Sequence, residues 1–171
     1  KDYIEAYCDY IEACLKQYPY IKSVEIWNEP NITKFWGPVT DISDYSNLVK
    51  AASFRIKKLN PEIEVLAGSP ASADVKWIKG MFDNGAYPYI DTVSYHPYIY
   101  PAEVDKAYVK NLDGINKVIL SYGGWKIPSI TEIGWSTNTG ATGVSEESQA
   151  HQLVKQYIVG DSFGVKGNYF Y

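Results

Sequence analysis

The sequence predicts an α/β protein in which helices cover a parallel β-sheet. Short apolar runs that read as buried strands alternate with longer segments whose apolar residues recur at helical spacing. The strands begin roughly thirty to forty residues apart, which is the length of a strand–helix–strand unit. No linker or low-complexity segment divides the chain, so residues 1–171 are predicted to form part of one domain.

The first half of the chain is predicted to begin with a helix, after which strands and helices alternate. Pro19 ends the first helix, and Asn60-Pro61 stops the second. The predicted elements are a helix over residues 1–18, a strand Ile21–Trp27, a helix Ser43–Leu59, a strand Glu64–Gly68 and a short helix over residues 75–82.

The second half continues the same alternation. Ser145 is a favourable N-cap residue, so a helix that carries Leu153, Val154, Tyr157 and Ile158 is expected to begin after it. The predicted elements are a strand Thr92–Tyr95, a helix Glu103–Ser121, a strand Pro128–Thr131, the helix after Ser145 and a strand Asn168–Tyr171.

Two glutamates stand at the ends of predicted buried strands. Glu29 lies in Trp27-Asn28-Glu29-Pro30, and Glu132 lies in Thr131-Glu132-Ile133-Gly134-Trp135. Pro30 cannot donate to a sheet ladder, so Glu29 is expected at the mouth of its strand and not inside the sheet. A pair of carboxylates on separate strands suits acid and nucleophile chemistry on a glycosidic bond.

These segments resemble motifs of the large clan of retaining glycoside hydrolases built on (β/α)8 barrels. Residues 25–31, with Asn28-Glu29-Pro30, resemble the acid/base motif of the clan, and residues 130–137 resemble its nucleophile motif. Ser94-Tyr95-His96-Pro97-Tyr98 is similar to the His-x-Tyr motif on the preceding strand. The order and spacing of the motifs resemble glycoside hydrolase family 39 over the whole chain, and family 5 is a second possibility.

The resemblance implies an incomplete barrel. A closed barrel has eight strands and about 250 residues, whereas five strands are predicted in these 171 residues. The chain therefore resembles the portion from the third helix to the eighth strand, without the first three strands and the last helix. Because the sequence begins with Lys1 and not with Met, we expect a processed or excised piece.

The same resemblance implies roles for individual residues. Glu29 would be the general acid/base and Glu132 the nucleophile, with their carboxyl groups within about 6 Å of each other. The expected substrate-binding residues are Asn28, His96, Tyr98, Trp36 and Trp135, with Tyr100 as a further candidate for a sugar platform. Purely structural roles remain open: a turn cap for Glu29, a salt bridge for Glu132, an Asx turn for Asn28 and a satisfied core histidine for His96.

Composition excludes several other classes of function. The net charge of −4 and the pI near 5.2 argue against a nucleic-acid partner, and no apolar run is long enough for a membrane span. The chain has only two histidines and neither a metal-ligand motif nor a glycine-rich phosphate loop, so no metal or cofactor is predicted. The aromatic fraction of 15% suits sugar recognition. The location stays unknown from the residues; the polysaccharide substrate class that the resemblance implies favours an extracellular or cell-envelope location.

A different class of function stays open, namely a non-catalytic barrel fragment that binds sugar weakly or only assembles with missing strands. Cutting a barrel leaves two strand edges with unpaired backbone groups. It is also expected to expose an apolar inner face around Ile26, Val65, Val93 and Ile130. Such a chain could associate with itself through the exposed edges.

Overall fold

The computed structural model describes residues 2–100, 104, 106–123 and 126–171. Its helices and strands alternate along the chain as the sequence predicts. The elements are α1 (Asp2–Gln17), β1 (Ser23–Glu25), α2 (Thr33–Trp36), α3 (Ile42–Leu59), β2 (Glu64–Ala71), α4 (Val75–Asp83), a 3-10 turn (Tyr87–Tyr89), β3 (Thr92–His96), α5 (Lys106–Ser121), β4 (Ile127–Ile133), α6 (Glu146–Ser162) and β5 (Gly167–Phe170). The expected start of α5 at Glu103 lies outside the described residues.

The strands form one parallel sheet of five strands in the order β1-β2-β3-β4-β5. Glu25 pairs with Leu66, Leu66 with Thr92, and Thr92 with Ile127, so neighbouring strands are in register across the sheet. A doubly wound sheet reverses its strand order at a switch point, whereas a barrel adds strands in sequence order. The sequential order is that of an incomplete (β/α)8 barrel, as predicted.

Two helix starts are fixed by side chains next to them in the sequence. Asp41 accepts hydrogen bonds from the backbone N–H groups of Ser43 (2.8 Å) and Asp44 (3.1 Å), and α3 begins at Ile42. Ser145 accepts from the N–H of Ser148 at 3.1 Å, which confirms it as the N-cap of α6.

The face of α6 that packs against the sheet is polar. Gln152, Gln156 and Gly160 are buried there, while Val154 is 58% exposed and Ile158 is 66% exposed. A Cβ on Gly160 would lie 2.7 Å from the Asn168 side chain, so glycine lets α6 approach β5 closely at this point. The helix is where the sequence predicts it, but its apolar residues do not form the buried face.

One expectation about the strands is wrong. Ile26, Val65, Val93 and Ile130 are fully buried in the core between the sheet and the helices, so they do not form an exposed inner face. Successive side chains of a strand point to opposite faces, and these four residues have the parity that faces the helices.

The face of the sheet opposite the helices carries polar side chains that bond across it. Thr131 donates a hydrogen bond to Glu25 at 2.7 Å, although β2 and β3 separate their two strands. Glu64 accepts from Thr92 and also binds Lys166, whose Nζ lies 2.8 Å from Oε1. Glu25 is therefore a hydrogen-bonded residue of the inner layer, as expected from its parity.

Asp91 directly precedes β3, at the opposite end of the sheet from Glu29 and Glu132, and its contacts are structural. Its carboxylate accepts from the N–H of Val65 at 2.8 Å and from Lys57 at 2.7 Å. No helix among the described residues is long and apolar enough to cross a membrane.

Candidate active site

Glu29 lies on a tight turn and not on a strand. The last residue of β1 is Glu25, two residues before the predicted end, because Trp27 (φ 66°) and Glu29 (φ 45°) leave the extended conformation. The N–H of Glu29 donates to the carbonyl of Ser69 at 3.0 Å, which attaches the turn to β2. The side chain is 12% exposed. The turn therefore holds Glu29 at the C-terminal end of the sheet.

Glu132 lies near the C-terminal end of β4, where the pairing with β5 becomes irregular. The register shifts between Ile130 and Ile133, and an irregularity of this kind re-aims nearby side chains. Directly afterwards, a Cβ on Gly134 would lie only 2.1 Å from the carbonyl oxygen of Tyr171. Only glycine fits at this position beside the end of β5.

His96 and Tyr98 contact the two carboxylates. His96 ends β3 and is 1% exposed; its Nδ1 lies 3.1 Å from Oε1 of Glu29 and 3.7 Å from Oε2 of Glu132. The hydroxyl of Tyr98 donates a hydrogen bond to Oε1 of Glu132. One side-chain atom from each of Glu29, His96 and Glu132 lies within 4.8 Å of the other two. The separation of the two glutamates therefore agrees with the expected limit of about 6 Å.

The two tyrosines beside the carboxylates remain protonated. Burial, then the hydrogen bond to Glu132 and the charges of both glutamates, raise the pKa of Tyr98 far above its usual value. Burial and the same two charges also raise the pKa of Tyr100. Tyr98 therefore keeps its proton at neutral pH and donates a hydrogen bond to Glu132.

The arrangement of Glu29, His96 and Glu132 could also hold a divalent cation, since it offers two carboxylate oxygens and an imidazole nitrogen within 4.8 Å. The sequence motifs predict no metal here. His96 lies at hydrogen-bonding distance from Glu29, and Tyr98 donates to Glu132. These contacts between protein groups account for the close approach of the carboxylates without an ion.

The carboxylates open into a cleft of about 680 Å³. This volume lies within the usual range of about 300–1,000 Å³ for small-molecule sites. The ring of Tyr100 stacks on that of Tyr98, with centroids 5.2 Å apart and planes 20° from parallel. The lining residues are Glu29, Lys34, Phe35, Tyr98, Tyr100, Glu132, Gly134, Trp135, Ser136, Thr137, Gln149 and Tyr171.

The structure does not bring all predicted site residues into this cleft. Trp135 lines it but is only 2% exposed, and Asn28 is exposed beside Glu29 without lining the cleft. Trp36 lines a separate cavity of about 200 Å³ and packs edge-on against Trp27 and Tyr45. The expected sugar platform on Trp36 is therefore not part of the cleft that holds the carboxylates.

Sequence reasoning missed several residues that line the cleft. Phe35 precedes Trp36 in α2, and it is Phe35 that faces the cleft. Gln149 lies in the first turns of α6 and donates to the carbonyl of Trp135 at 2.6 Å. Its place at the start of the helix predicted after Ser145 is the signal that could have found Gln149.

Two facing carboxylates at the C-terminal end of a parallel, sequentially ordered sheet are the arrangement that retaining barrel glycoside hydrolases use. Residues 9–120 match the family described as Glycosyl hydrolases family 39, and the chain belongs to that family. Of the two families that the motifs resemble, the match therefore identifies family 39. The matched range contains Glu29 and His96 and ends before Glu132.

Relatives and solved structures agree with this family. A β-xylosidase from Caldicellulosiruptor saccharolyticus is 41% identical over 78 residues, which covers 43% of this chain and 15% of that protein. A family 39 enzyme from Xanthomonas axonopodis pv. citri has a similar fold, with a TM-score of 0.75 and 20% identity over 99% of this chain. A family 39 β-xylosidase from Caulobacter crescentus matches 98% of this chain with a TM-score of 0.71 and 20% identity.

The chain spans only part of each of these proteins. It covers 37% of the Xanthomonas chain and 39% of the Caulobacter chain. At these identities the structural likeness concerns the fold alone.

Proposed function

We propose that this chain carries the catalytic pair of a retaining glycoside hydrolase, with Glu29 as acid/base and Glu132 as nucleophile. The observation that carries the proposal is the approach of the two carboxylates to within 4.8 Å across one cleft. Retaining enzymes hold their carboxyl groups about 5–5.5 Å apart, whereas inverting enzymes need about 6.5–9.5 Å to admit a water. In this proposal the five strands occupy the fourth to eighth positions of a barrel, and residues 1–171 are part of its catalytic domain.

In the first step, an oxygen of Glu132 forms a bond to the anomeric carbon while the bond to the glycosidic oxygen breaks. Glu29 gives its proton to that oxygen, and the alcohol departs. His96, at 3.1 Å from Oε1 of Glu29, holds the acid in place during the transfer.

In the second step, the Glu29 carboxylate takes a proton from a water molecule. The water oxygen bonds to the anomeric carbon, and the bond to Glu132 breaks. Tyr98 donates to Oε1 of Glu132 and so stabilises the carboxylate as its negative charge returns.

The proposed substrate is a β-linked xyloside or a related β-linked oligo- or polysaccharide. The β-xylosidase relative supports this choice, since it is 41% identical over the matched 78 residues. The stacked rings of Tyr98 and Tyr100 supply an aromatic surface beside the carboxylates, which suits the apolar face of a pyranose.

The test is the stereochemistry of hydrolysis by the natural full-length protein. The anomeric proton of the first product, followed by NMR with an aryl β-xyloside, is expected to show the β-configuration. Glu132→Gln should abolish turnover while the far-ultraviolet circular dichroism is unchanged. A product that first forms as the α-anomer would reject Glu132 as nucleophile.

A second candidate function is a non-catalytic fragment that binds sugar weakly or assembles with other strands. Its support is that β1 and β5 each have only one strand neighbour among the described residues, and that β5 exposes 60% of Tyr169. We propose that the isolated chain associates through these edges. Aryl β-xyloside turnover by the 171-residue chain itself would reject this alternative.

A further inference from the structure

The turn that carries Glu29 is held by side chains that lie outside the cleft. The hydroxyl of Tyr45 donates to the carbonyl of Ile26 at 3.0 Å, and the N–H of Trp27 donates to the hydroxyl of Tyr7 at 2.9 Å. On the other side of the turn, Oγ of Ser69 donates to the carbonyl of Trp27 at 3.2 Å. The backbone from β1 to Glu29 is therefore fixed from α1, α3 and β2 together.

This fixation matters because the turn has an unfavourable conformation. Trp27, Glu29 and Ser69 all have positive φ angles, of 66°, 45° and 32°, although none of them is glycine. Such conformations persist only where the surrounding structure holds them, and they concentrate at functional sites. Removing one of the holding groups would let the turn relax and move Glu29.

Tyr45 holds two strands at once. Its buried hydroxyl also accepts a hydrogen bond from the N–H of Gly68 at 2.8 Å, so it connects the end of β1 to the irregular part of β2. Ser69 follows immediately, and its carbonyl accepts from the N–H of Glu29 at 3.0 Å. The two residues form a continuous support beneath the turn, and neither lines the cleft.

We propose that Tyr45 and Ser69 are positioning residues that set the place of the Glu29 carboxylate relative to the glycosidic oxygen. They act through the backbone of Ile26–Glu29 and do not touch the substrate. This inference rests on the proposed role of Glu29 as acid.

A matched control is available in Tyr95 on β3. Like Tyr45, Tyr95 is fully buried, but its hydroxyl has no hydrogen-bond partner among the described residues. Tyr45→Phe and Tyr95→Phe therefore remove the same atom from equally buried rings, and only the first change frees the Glu29 turn.

The test measures kcat/KM of the natural full-length protein with a series of aryl β-xylosides whose leaving groups differ in acidity. A poor leaving group needs the proton of Glu29, whereas a nitrophenolate that is already stable as an anion does not. A general acid contributes about 10²–10⁴-fold, and a displacement of about 1 Å can cost about 10²-fold. Tyr45→Phe and Ser69→Ala should therefore lose roughly 10- to 100-fold with poor leaving groups and less than about threefold with good ones.

Tyr95→Phe should show the same dependence of kcat/KM on leaving-group acidity as the wild-type protein. Equal losses by Tyr45→Phe and Ser69→Ala across the whole series would overturn the inference, because general loosening of the fold affects every substrate alike. Ser69→Ala keeps the backbone carbonyl that binds Glu29, so it provides the readout if Tyr45→Phe does not fold.

Glu29→Ala separates this inference from the proposed function. If Glu29→Ala loses activity equally with all leaving groups, the acid role itself is wrong. If kcat/KM depends steeply on leaving-group acidity in Glu29→Ala but not in Tyr45→Phe and Ser69→Ala, only the positioning role of Tyr45 and Ser69 is wrong.

Discussion

Replacing Tyr98 by Phe should slow the second chemical step but not the first. Tyr98 donates a hydrogen bond to Glu132, and that bond is strongest when Glu132 carries its full negative charge. The charge disappears as the glycosyl-enzyme forms and returns as it breaks down. The lost hydrogen bond therefore raises the barrier of breakdown. It does not raise the barrier of formation, because Glu132 is fully charged before that step and only partly charged at its transition state.

The magnitude follows from the kind of bond that is lost. A hydrogen bond to a charged group contributes about 1.5–3 kcal/mol net. With about half of the charge regained at the transition state, the barrier of the second step rises by roughly 0.75–1.5 kcal/mol, which is about 3- to 13-fold in rate.

The assay is stopped-flow release of the aryl group from an activated aryl β-xyloside by the natural full-length protein. Tyr98→Phe should lower kcat by the stated factor, leave kcat/KM undiminished, and produce a burst as the glycosyl-enzyme accumulates. Tyr100→Phe is the matched control, because it keeps the stacked ring, with centroids 5.2 Å apart, and leaves the Tyr98–Glu132 hydrogen bond in place. A loss in kcat/KM as large as the loss in kcat, without a burst, would refute the reasoning.

Three further predictions concern the fold of the isolated chain. Tyr45→Phe leaves the buried carbonyl of Ile26 and the N–H of Gly68 without their partner. Urea unfolding should therefore show a free energy of unfolding lower by about 2–4 kcal/mol for Tyr45→Phe and by less than about 1 kcal/mol for Tyr95→Phe. Similar losses for both variants would contradict the assigned contacts. Burial favours the neutral carboxyl of Asp91, but Lys57 and a backbone N–H outweigh it and hold its pKa below the usual value. Its stabilising contribution is present above the unfolded pKa of about 3.9 and is lost as the pH falls through the lower folded value. Asp91→Asn lacks this contribution at every pH, so the difference in unfolding free energy between wild type and Asp91→Asn should shrink below about pH 4. Parallel pH profiles of the two proteins would contradict this. Sedimentation should detect dimers or larger species through the open edges of β1 and β5, whereas a cooperative monomer with little dye binding would reject self-association.

The sequence predicts well those features that depend on neighbouring residues. Ser145 accepts a hydrogen bond from the N–H of Ser148, three residues further on, and Asn60-Pro61 directly follows the end of α3 at Leu59. The approach of Glu29 and Glu132 could also be predicted, because parallel strands bring their C-terminal ends to the same edge of the sheet.

The remaining features depend on contacts between distant segments. A short apolar run does not reveal which of its faces meets the helices, and so the parity of Val65 and Ile130 was predicted wrongly. Whether Phe35 or Trp36 faces the cleft depends on how the single turn of α2 sits on the sheet. The hydroxyl of Tyr45 bonds to the carbonyl of Ile26 and the N–H of Gly68, which lie 19 and 23 residues away in the sequence, and no local pattern predicts these contacts.

The most direct test of the central claim is covalent trapping of the nucleophile. A mechanism-based 2-fluoro-β-xyloside, incubated with the natural full-length protein, should add one fluoroxylosyl group, and peptide mass spectrometry should place it on Glu132. The label should be absent from Glu132→Gln. A label on any other residue, or rapid turnover of the natural substrate without any label, would contradict the assignment of Glu132 as the nucleophile.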